Sequence, residues 1–155
     1  MPAKNSFGTP MSDFKVEIAT EASPDLLAAV RSLLPQLTTS GHLITESELR
    51  AMIEAPLTTM FVAKDGAAIV GMISLSVAQM PTGLRSYLED LVVDASCRRR
   101  GIARALMQAA LDHARNAGAR TLDMTSRPSR EGAIQLYEEL GFQLRQTNPY
   151  RFSFR

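Results

Sequence analysis

The sequence predicts one mixed domain of the α/β or α+β class, a sheet of about six to seven strands flanked by about four helices. Three observations lead there. The chain has 155 residues, enough for one hydrophobic core and little more. Short runs with a two-residue apolar period alternate with longer runs of helical spacing, in the order strand, two helices, three strands, helix, strand, helix, two strands. Leu91-Val92-Val93 is a continuous apolar run, the pattern of a strand covered on both faces. With 45% hydrophobic and 21% charged residues the composition is that of an ordinary globular domain, which excludes wholesale disorder and fibrous repeats.

Taken in order, residues 1–13 mix Gly, Pro, Ser and Asn without periodicity and are expected to form a flexible leader, with one domain over residues 14–155. Phe14–Ile18 alternates apolar and polar side chains and suits a half-buried strand. Ser23 before Pro24 has the form of a helix start, and Leu26, Leu27, Val30, Leu33 and Leu34 continue at helical spacing to about Leu34. Thr45 and Glu48 have capping-box spacing, so a second helix should run to Ala55 before Pro56 stops it. Met60–Ala63 and Ala68–Leu75 read as strands joined at Asp65-Gly66, a hairpin signal, and a further strand fits Ser86–Val93. Gly101–Ala117 is the strongest helix pattern, with Gly118 as its stop. Thr121–Met124 suits a short strand, Glu131–Leu140 a helix ended by Gly141, and Phe142–Leu144 and Tyr150–Phe154 two closing strands.

The net charge of +1 conceals an asymmetry. Residues 1–94 hold 6 Lys and Arg against 11 Asp and Glu, net −5, while residues 95–155 hold 11 against 5, net +6. Of the 17 basic residues 14 are Arg, whose planar fork suits phosphate. The single Cys97 allows no internal disulfide, and no apolar run reaches a membrane span, so a cytoplasmic protein without membrane contact is expected. His42 and His113 are isolated, and no metal is expected.

The sharpest local feature is Cys97-Arg98-Arg99-Arg100-Gly101-Ile102-Ala103-Arg104, between the buried strand and the long helix. A helix N-terminus carries the positive end of the macrodipole and disfavours Arg by about 0.3–1 kcal/mol each. Four arginines crowd this one. An anion at the turn would remove the conflict, since backbone N–H groups and guanidinium forks would all point to it, and the small Gly101 and Ala103 let it approach the main chain. A solvated basic run is the alternative. The stretch has neither the Gly-Lys-Ser/Thr of a Walker loop nor the three-glycine dinucleotide fingerprint.

With Arg98, Gly101 and Ala103 in place, the stretch resembles the Arg/Gln-x-x-Gly-x-Gly/Ala pyrophosphate loop of the GNAT superfamily of acyl-CoA-dependent N-acetyltransferases. Leu88-Glu89-Asp90-Leu91-Val92-Val93-Asp94 looks like that family's fourth strand, and Ala133-Ile134-Gln135-Leu136-Tyr137-Glu138-Glu139-Leu140-Gly141-Phe142 like its second conserved block. The resemblance covers about Phe14 to Phe154 and implies a mostly antiparallel central sheet and direct acetyl transfer from acetyl-CoA to an amine. By that analogy the main chain of Leu91, Val92 and Val93 binds the pantetheine arm and acetyl carbonyl. The amides of Arg99, Arg100, Gly101, Ile102, Ala103 and Arg104 cradle the pyrophosphate, with the side chains of Arg98 and Arg99 near phosphate oxygens.

Tyr137 matches the family tyrosine that protonates the leaving thiolate, a role open to a phenol with an ordinary pKa near 10; a packed helix aromatic is the alternative. For a base or amine-binding group Glu89 is favoured, with Asp90 second. Strand alternation puts the two on opposite faces and Glu89 with Leu91 and Val93. The Leu-Glu-Asp-Leu string also resembles the Ile-Glu-Asp-Ile string of glucosamine-6-phosphate N-acetyltransferases; exposed polar residues at a strand start are the alternative. Where many family members carry a pantetheine-binding Asn the chain has Arg130, so Ser129 is expected to cap the helix and Arg127 or Arg130 to reach a phosphate or acidic acceptor. The implied partners are acetyl-CoA and an amine, on a small molecule or a protein lysine, and the analogy allows a homodimer. Two other readings stay open: a CoA-binding sensor of the same fold, and a nucleic-acid-binding module using the basic half. Against the second, no aromatics interleave with Arg98–Arg104.

Overall fold

The computed structural model describes residues 13–154; the leader expected over residues 1–13 lies, apart from Asp13, outside the described residues. The chain divides after Met124 into two compact units.

The first unit contains β1 (Phe14–Ile18), α1 (Pro24–Leu37), α2 (Glu46–Glu54), β2 (Thr58–Asp65), β3 (Ala68–Met80), β4 (Gly83–Val93), a one-turn 3-10 helix (Ala95–Cys97), α3 (Ile102–Asn116) and β5 (Thr121–Asp123). The strands form one sheet in the order β1-β2-β3-β4-β5, antiparallel except for the parallel pairing of β4 with β5. The sheet of the described residues therefore has five strands rather than six or seven.

Local chemistry explains most boundaries. The Ser23 hydroxyl accepts from the Leu26 N–H at 3.1 Å and starts α1 at Pro24. At α2 the Thr45 N–H donates to Glu48 at 2.7 Å and the Glu48 N–H to Thr45 Oγ1 at 3.2 Å, the reciprocal capping box. The β2–β3 hairpin closes with Asp65 paired to Ala68, so Gly66 and Ala67 are the two turn residues. Two elements run further than expected. The β3–β4 hairpin continues to a second tight turn at Pro81-Thr82, with Met80 opposite Gly83. α1 passes through Pro35 and ends at Leu37. Pro35 lacks the N–H that would bond the Arg31 carbonyl, but Leu37 packs against the core and the Thr38 N–H closes the turn on the Leu34 carbonyl at 3.0 Å.

Two cores result. α1 and α2 lay Leu26, Val30, Leu33 and Leu49 against Met60, Val62, Met72 and Val92 on one face of the sheet. Each such side chain removed from water contributes about 1.5–3 kcal/mol. α3 covers the opposite face with its buried Ile102, Leu106, Met107, Ala110 and Ala114. It lies so close that a Cβ on Gly71 would meet Ile102, Leu106 and the Val92 carbonyl, each at 3.2 Å. His113 of α3 stands edge-on to Phe61, ring centroids 5.5 Å apart.

The second unit holds α4 (Glu131–Glu139). Its C-terminus is a Schellman cap: the Gly141 N–H donates to the Glu138 carbonyl at 3.0 Å and the Phe142 N–H to the Tyr137 carbonyl at 2.9 Å. Gly141 holds the left-handed conformation this requires, φ 92°. The Phe142 ring then meets Tyr137 edge-on, centroids 6.2 Å apart. Neither closing strand expected after α4 forms among the described residues. Phe142 is used up in the cap, Pro149 offers no N–H, and Leu144, Tyr150, Phe152 and Phe154 are 81–100% exposed, so no burial favours a ladder there.

Candidate active site

The acidic pair sits at an irregularity in β4. Ser74 pairs with Glu89 and Met72 with Val92, so Asp90 and Leu91 together oppose the single residue Ile73. This is a β-bulge, and Asp90 takes a positive φ of 56° at it. Simple alternation fails at that point. Glu89 follows Ser74 and lies on the face shared with Tyr87, Met72 and Val92, toward α1 and α2, rather than with Leu91 and Val93 as alternation predicted. Partial desolvation raises the pKa of the Asp90 carboxyl from its ordinary value, although its side chain still meets solvent.

Beyond the bulge, β4 ends in the buried Val92 and Val93. β5 pairs only with Arg85, Ser86 and Tyr87, so among the described residues no strand lies beside Leu88–Val93 on that edge. Main-chain groups of the strand's second half are thereby available to something other than a sheet.

The loop that follows is held from several sides. The Asp94 N–H donates to the Val70 carbonyl at 2.8 Å, and its carboxylate accepts from the Ser96 N–H at 2.9 Å and from Gln36 Nε2 at 3.0 Å. Those bonds hold the Asp94 carboxyl below its usual pKa, the Ser96 hydroxyl contributing most. Arg98 turns back so that its Nε donates to the Val93 carbonyl at 3.4 Å. Arg99 and Gly101 both adopt positive φ, 61° and 81°, with Arg100 between them. Arg100 reaches the β2–β3 hairpin, its guanidinium 2.7 Å from Asp65. Gly101 is the N-cap of α3 and supplies no side-chain cap, leaving a helix start built from backbone amides at Ile102, Ala103 and Arg104. Such a turn followed by an uncapped helix fits a phosphate group.

In the second unit, the Tyr137 phenol is half buried on α4, and that burial pushes its pKa up, opposed by Arg130 and a hydrogen bond with the Ser126 hydroxyl. It stays protonated at neutral pH and can donate. The expectation that Ser129 caps α4 is corrected: the N-cap is Arg130, and no side chain caps the helix. Arg130 has φ −90° and ψ 61°, and its own N–H bonds the Arg127 carbonyl at 3.0 Å, so the chain turns one residue later than a Ser129 cap requires. Among the described residues no three His, Cys, Asp or Glu side chains gather to hold a metal, and no helix is long and apolar enough to cross a membrane.

Sequence reasoning missed Gln36. It lies 58 positions from Asp94 in a turn of α1 beyond the expected helix end, and no local pattern marks such a contact. The role of Asp94 did carry a signal, since Asp two residues before Ser is an Asx-turn pattern.

The model of the family described as Acetyltransferase (GNAT) matches residues 27–142. Among curated proteins the chain is 36% identical over 83 residues to N-alpha-acetyltransferase 30 of Schizosaccharomyces pombe, a match covering 53% of this chain and 55% of that protein. The chain spans between 38% and 55% of the length of such curated relatives. Among solved structures it superposes on an aminoglycoside acetyltransferase from an uncultured soil metagenomic sample, in complex with sisomicin, with a TM-score of 0.82 at 17% identity, covering 92% of this chain and 97% of that one. It also superposes on AAC(6')-Iy in complex with the bisubstrate analogue CoA-S-monomethyl-acetylneamine, with a TM-score of 0.72 at 21% identity, covering 91% and 99%. At those identities the two structures share the fold. The bulged β4, the arginine loop and the Tyr-x-x-x-Gly-Phe cap thus occur in a chain that the family model matches over most of its length, and the protein belongs to the GNAT family of acetyltransferases.

Proposed function

We propose that this chain transfers the acetyl group of acetyl-CoA directly to a primary amine. The observation that carries the reading is the sequence of an open-edged strand, Leu88–Val93, a loop with positive φ at Arg99 and Gly101, and an α3 that begins without a side-chain cap. One segment offers strand-like hydrogen bonds to an amide-containing arm, and the next offers amides and guanidinium groups to a pyrophosphate. The solved AAC(6')-Iy complex, whose ligand joins CoA to an acetylated amine, supports acetyl-CoA as donor.

In the reaction the amine nitrogen forms a bond to the thioester carbonyl carbon, the carbon–sulfur bond breaks, the nitrogen loses a proton and the thiolate gains one. The main-chain amides of Leu91–Val93 that face the open edge of β4 stabilise the carbonyl oxygen as charge develops on it. Arg98 and Arg99 add positive charge at the phosphates, while Arg100, held on Asp65, contributes its main-chain amide. Tyr137 gives its proton to the thiolate. Glu89, or Asp90 beside it, binds the ammonium form of the acceptor and takes its proton, directly or through water. The raised pKa makes Asp90 a better proton acceptor than an ordinary aspartate.

Two carboxylates at this position and the net −5 of residues 1–94 suit a cationic acceptor. The solved complex of an aminoglycoside acetyltransferase with sisomicin makes amino sugars the first class to try, with polyamines and lysine side chains next. The test is release of free thiol from acetyl-CoA across a panel of such amines. Turnover with at least one cationic amine and none with its neutral isostere is expected. Tight acetyl-CoA binding with no turnover on any amine would instead mean a CoA-binding sensor.

A further inference from the structure

We propose that Gln36, at the end of α1, is a positioning residue for the acetyl-CoA loop, and this rests on the reading of Arg98–Arg104 as the pyrophosphate site. The Gln36 amide bridges two elements with every polar atom in use. Its Nε2 donates to Asp94 Oδ2 at 3.0 Å and to the Ser32 carbonyl of its own helix at 3.4 Å, and its Oε1 accepts the Ala95 N–H at 2.9 Å. A carboxylate only accepts and a main-chain N–H only donates, so the amide has one orientation that satisfies both. These two bonds fall on the junction where β4 stops and the arginine loop begins.

The rest of the junction depends on the same aspartate. Asp94 Oδ1 takes the Ser96 N–H and hydroxyl, the Asp94 carbonyl accepts the Cys97 N–H at 2.9 Å, and Arg98 lies close enough to lower the carboxyl pKa. One side chain from α1 thereby fixes the orientation of the carboxylate that folds Ala95–Cys97, and that turn aims Arg98, Arg99 and the amides of Gly101–Ala103. Gln36 touches none of the groups proposed to meet the donor, so its influence passes through Asp94 and Ala95. It is exposed, so its removal is expected to lower Tm only slightly.

Glu at this position makes the test selective. A protonated Glu offers one O–H to Asp94 and one carbonyl oxygen to Ala95, reproducing both bridging bonds. An ionised Glu offers Asp94 only a second negative charge, with Arg98 the cation facing the pair.

The experiment compares wild type, Gln36→Ala and Gln36→Glu, measuring acetyl-CoA affinity by calorimetry from pH 5 to 8, Tm, and steady-state constants on an accepted amine. Gln36→Ala is expected to weaken acetyl-CoA binding about fivefold and raise its KM alike, with kcat at saturation within about twofold. For Gln36→Glu the ratio of its Kd to that of wild type is expected to climb as pH rises, which a loss of packing alone would not produce. The ratio cancels titrations common to both proteins. Wild-type binding with unchanged affinity in Gln36→Ala and a flat ratio for Gln36→Glu overturns the role of Gln36 alone. Absence of acetyl-CoA binding by wild type overturns the loop reading as well. If Gln36→Ala lowers Tm sharply, the pH slope of Gln36→Glu decides.

Discussion

Asp90 combines two properties that rarely suit one side chain: a left-handed backbone at a bulge and a partly desolvated carboxylate. Asn tolerates the same backbone without the charge. Because the folded pKa is raised, ionisation opposes folding at neutral pH, and the penalty fades as pH falls toward the unfolded value near 4. Asp90→Asn is therefore expected to raise Tm at pH 7, with the gain shrinking by about pH 4. A lower Tm at pH 7 would mean that the carboxylate is held by bonds stronger than its desolvation. Tyr137 has the complementary bias, since its raised pKa keeps the proton in place through the physiological range. Tyr137→Phe is expected to lower kcat for thiol release by tenfold or more, with the KM for acetyl-CoA within about threefold. A smaller fall in kcat would leave Tyr137 as a packing residue. In wild type, no decline in rate from loss of the phenol proton is expected below about pH 10.

Among the elements, the ends of helices were legible because their chemistry is local. Ser23 with Pro24, Thr45 with Glu48, Gly118 and Gly141 each act within a few residues of themselves, and each boundary falls within about three residues of where the sequence put it. The Tyr-x-x-x-Gly-Phe spacing is a physical unit for the same reason: a Schellman cap makes the residue after Gly141 meet Tyr137. Gly141→Ala is expected to cost about 1 kcal/mol in urea unfolding, from the strain of a left-handed alanine. An unchanged midpoint would show that the cap relaxes without loss. Gly71→Val tests how closely α3 rests on β3, where the added methyl groups would enter Ile102 and Leu106; a loss of about 1–3 kcal/mol is expected. Legibility ended where contacts are long in sequence. The bulge opposite Ile73 depends on register with another strand, and the extra turn of α1 depends on Leu37 finding the core. The apolar spacing of Tyr150, Phe152 and Phe154 predicts a strand only if a neighbour exists to cover it.

On the scale of the whole molecule, the neutral sum of charge divides into an acidic first part, which includes Glu89 and Asp90, and a basic second part that begins at the arginine loop. The structure refines that field. Arg100 is matched by Asp65 and Arg98 leans on the Val93 carbonyl, so the loop presents backbone amides as much as guanidinium groups. Its local conformation was only half legible: Gly101 was read as a small residue that lets an anion approach, whereas the positive φ of Arg99 carries no sequence signal. Whether the loop holds the donor is measured directly by isothermal titration of wild type with acetyl-CoA at low and moderate salt. One-to-one binding is expected, weakened about tenfold when Gly101→Val places a β-branched side chain at φ 81° in the loop, with the Tm of that variant lowered by only a few degrees. No binding by wild type, or equal binding by a folded Gly101→Val, would mean that this loop does not hold the donor.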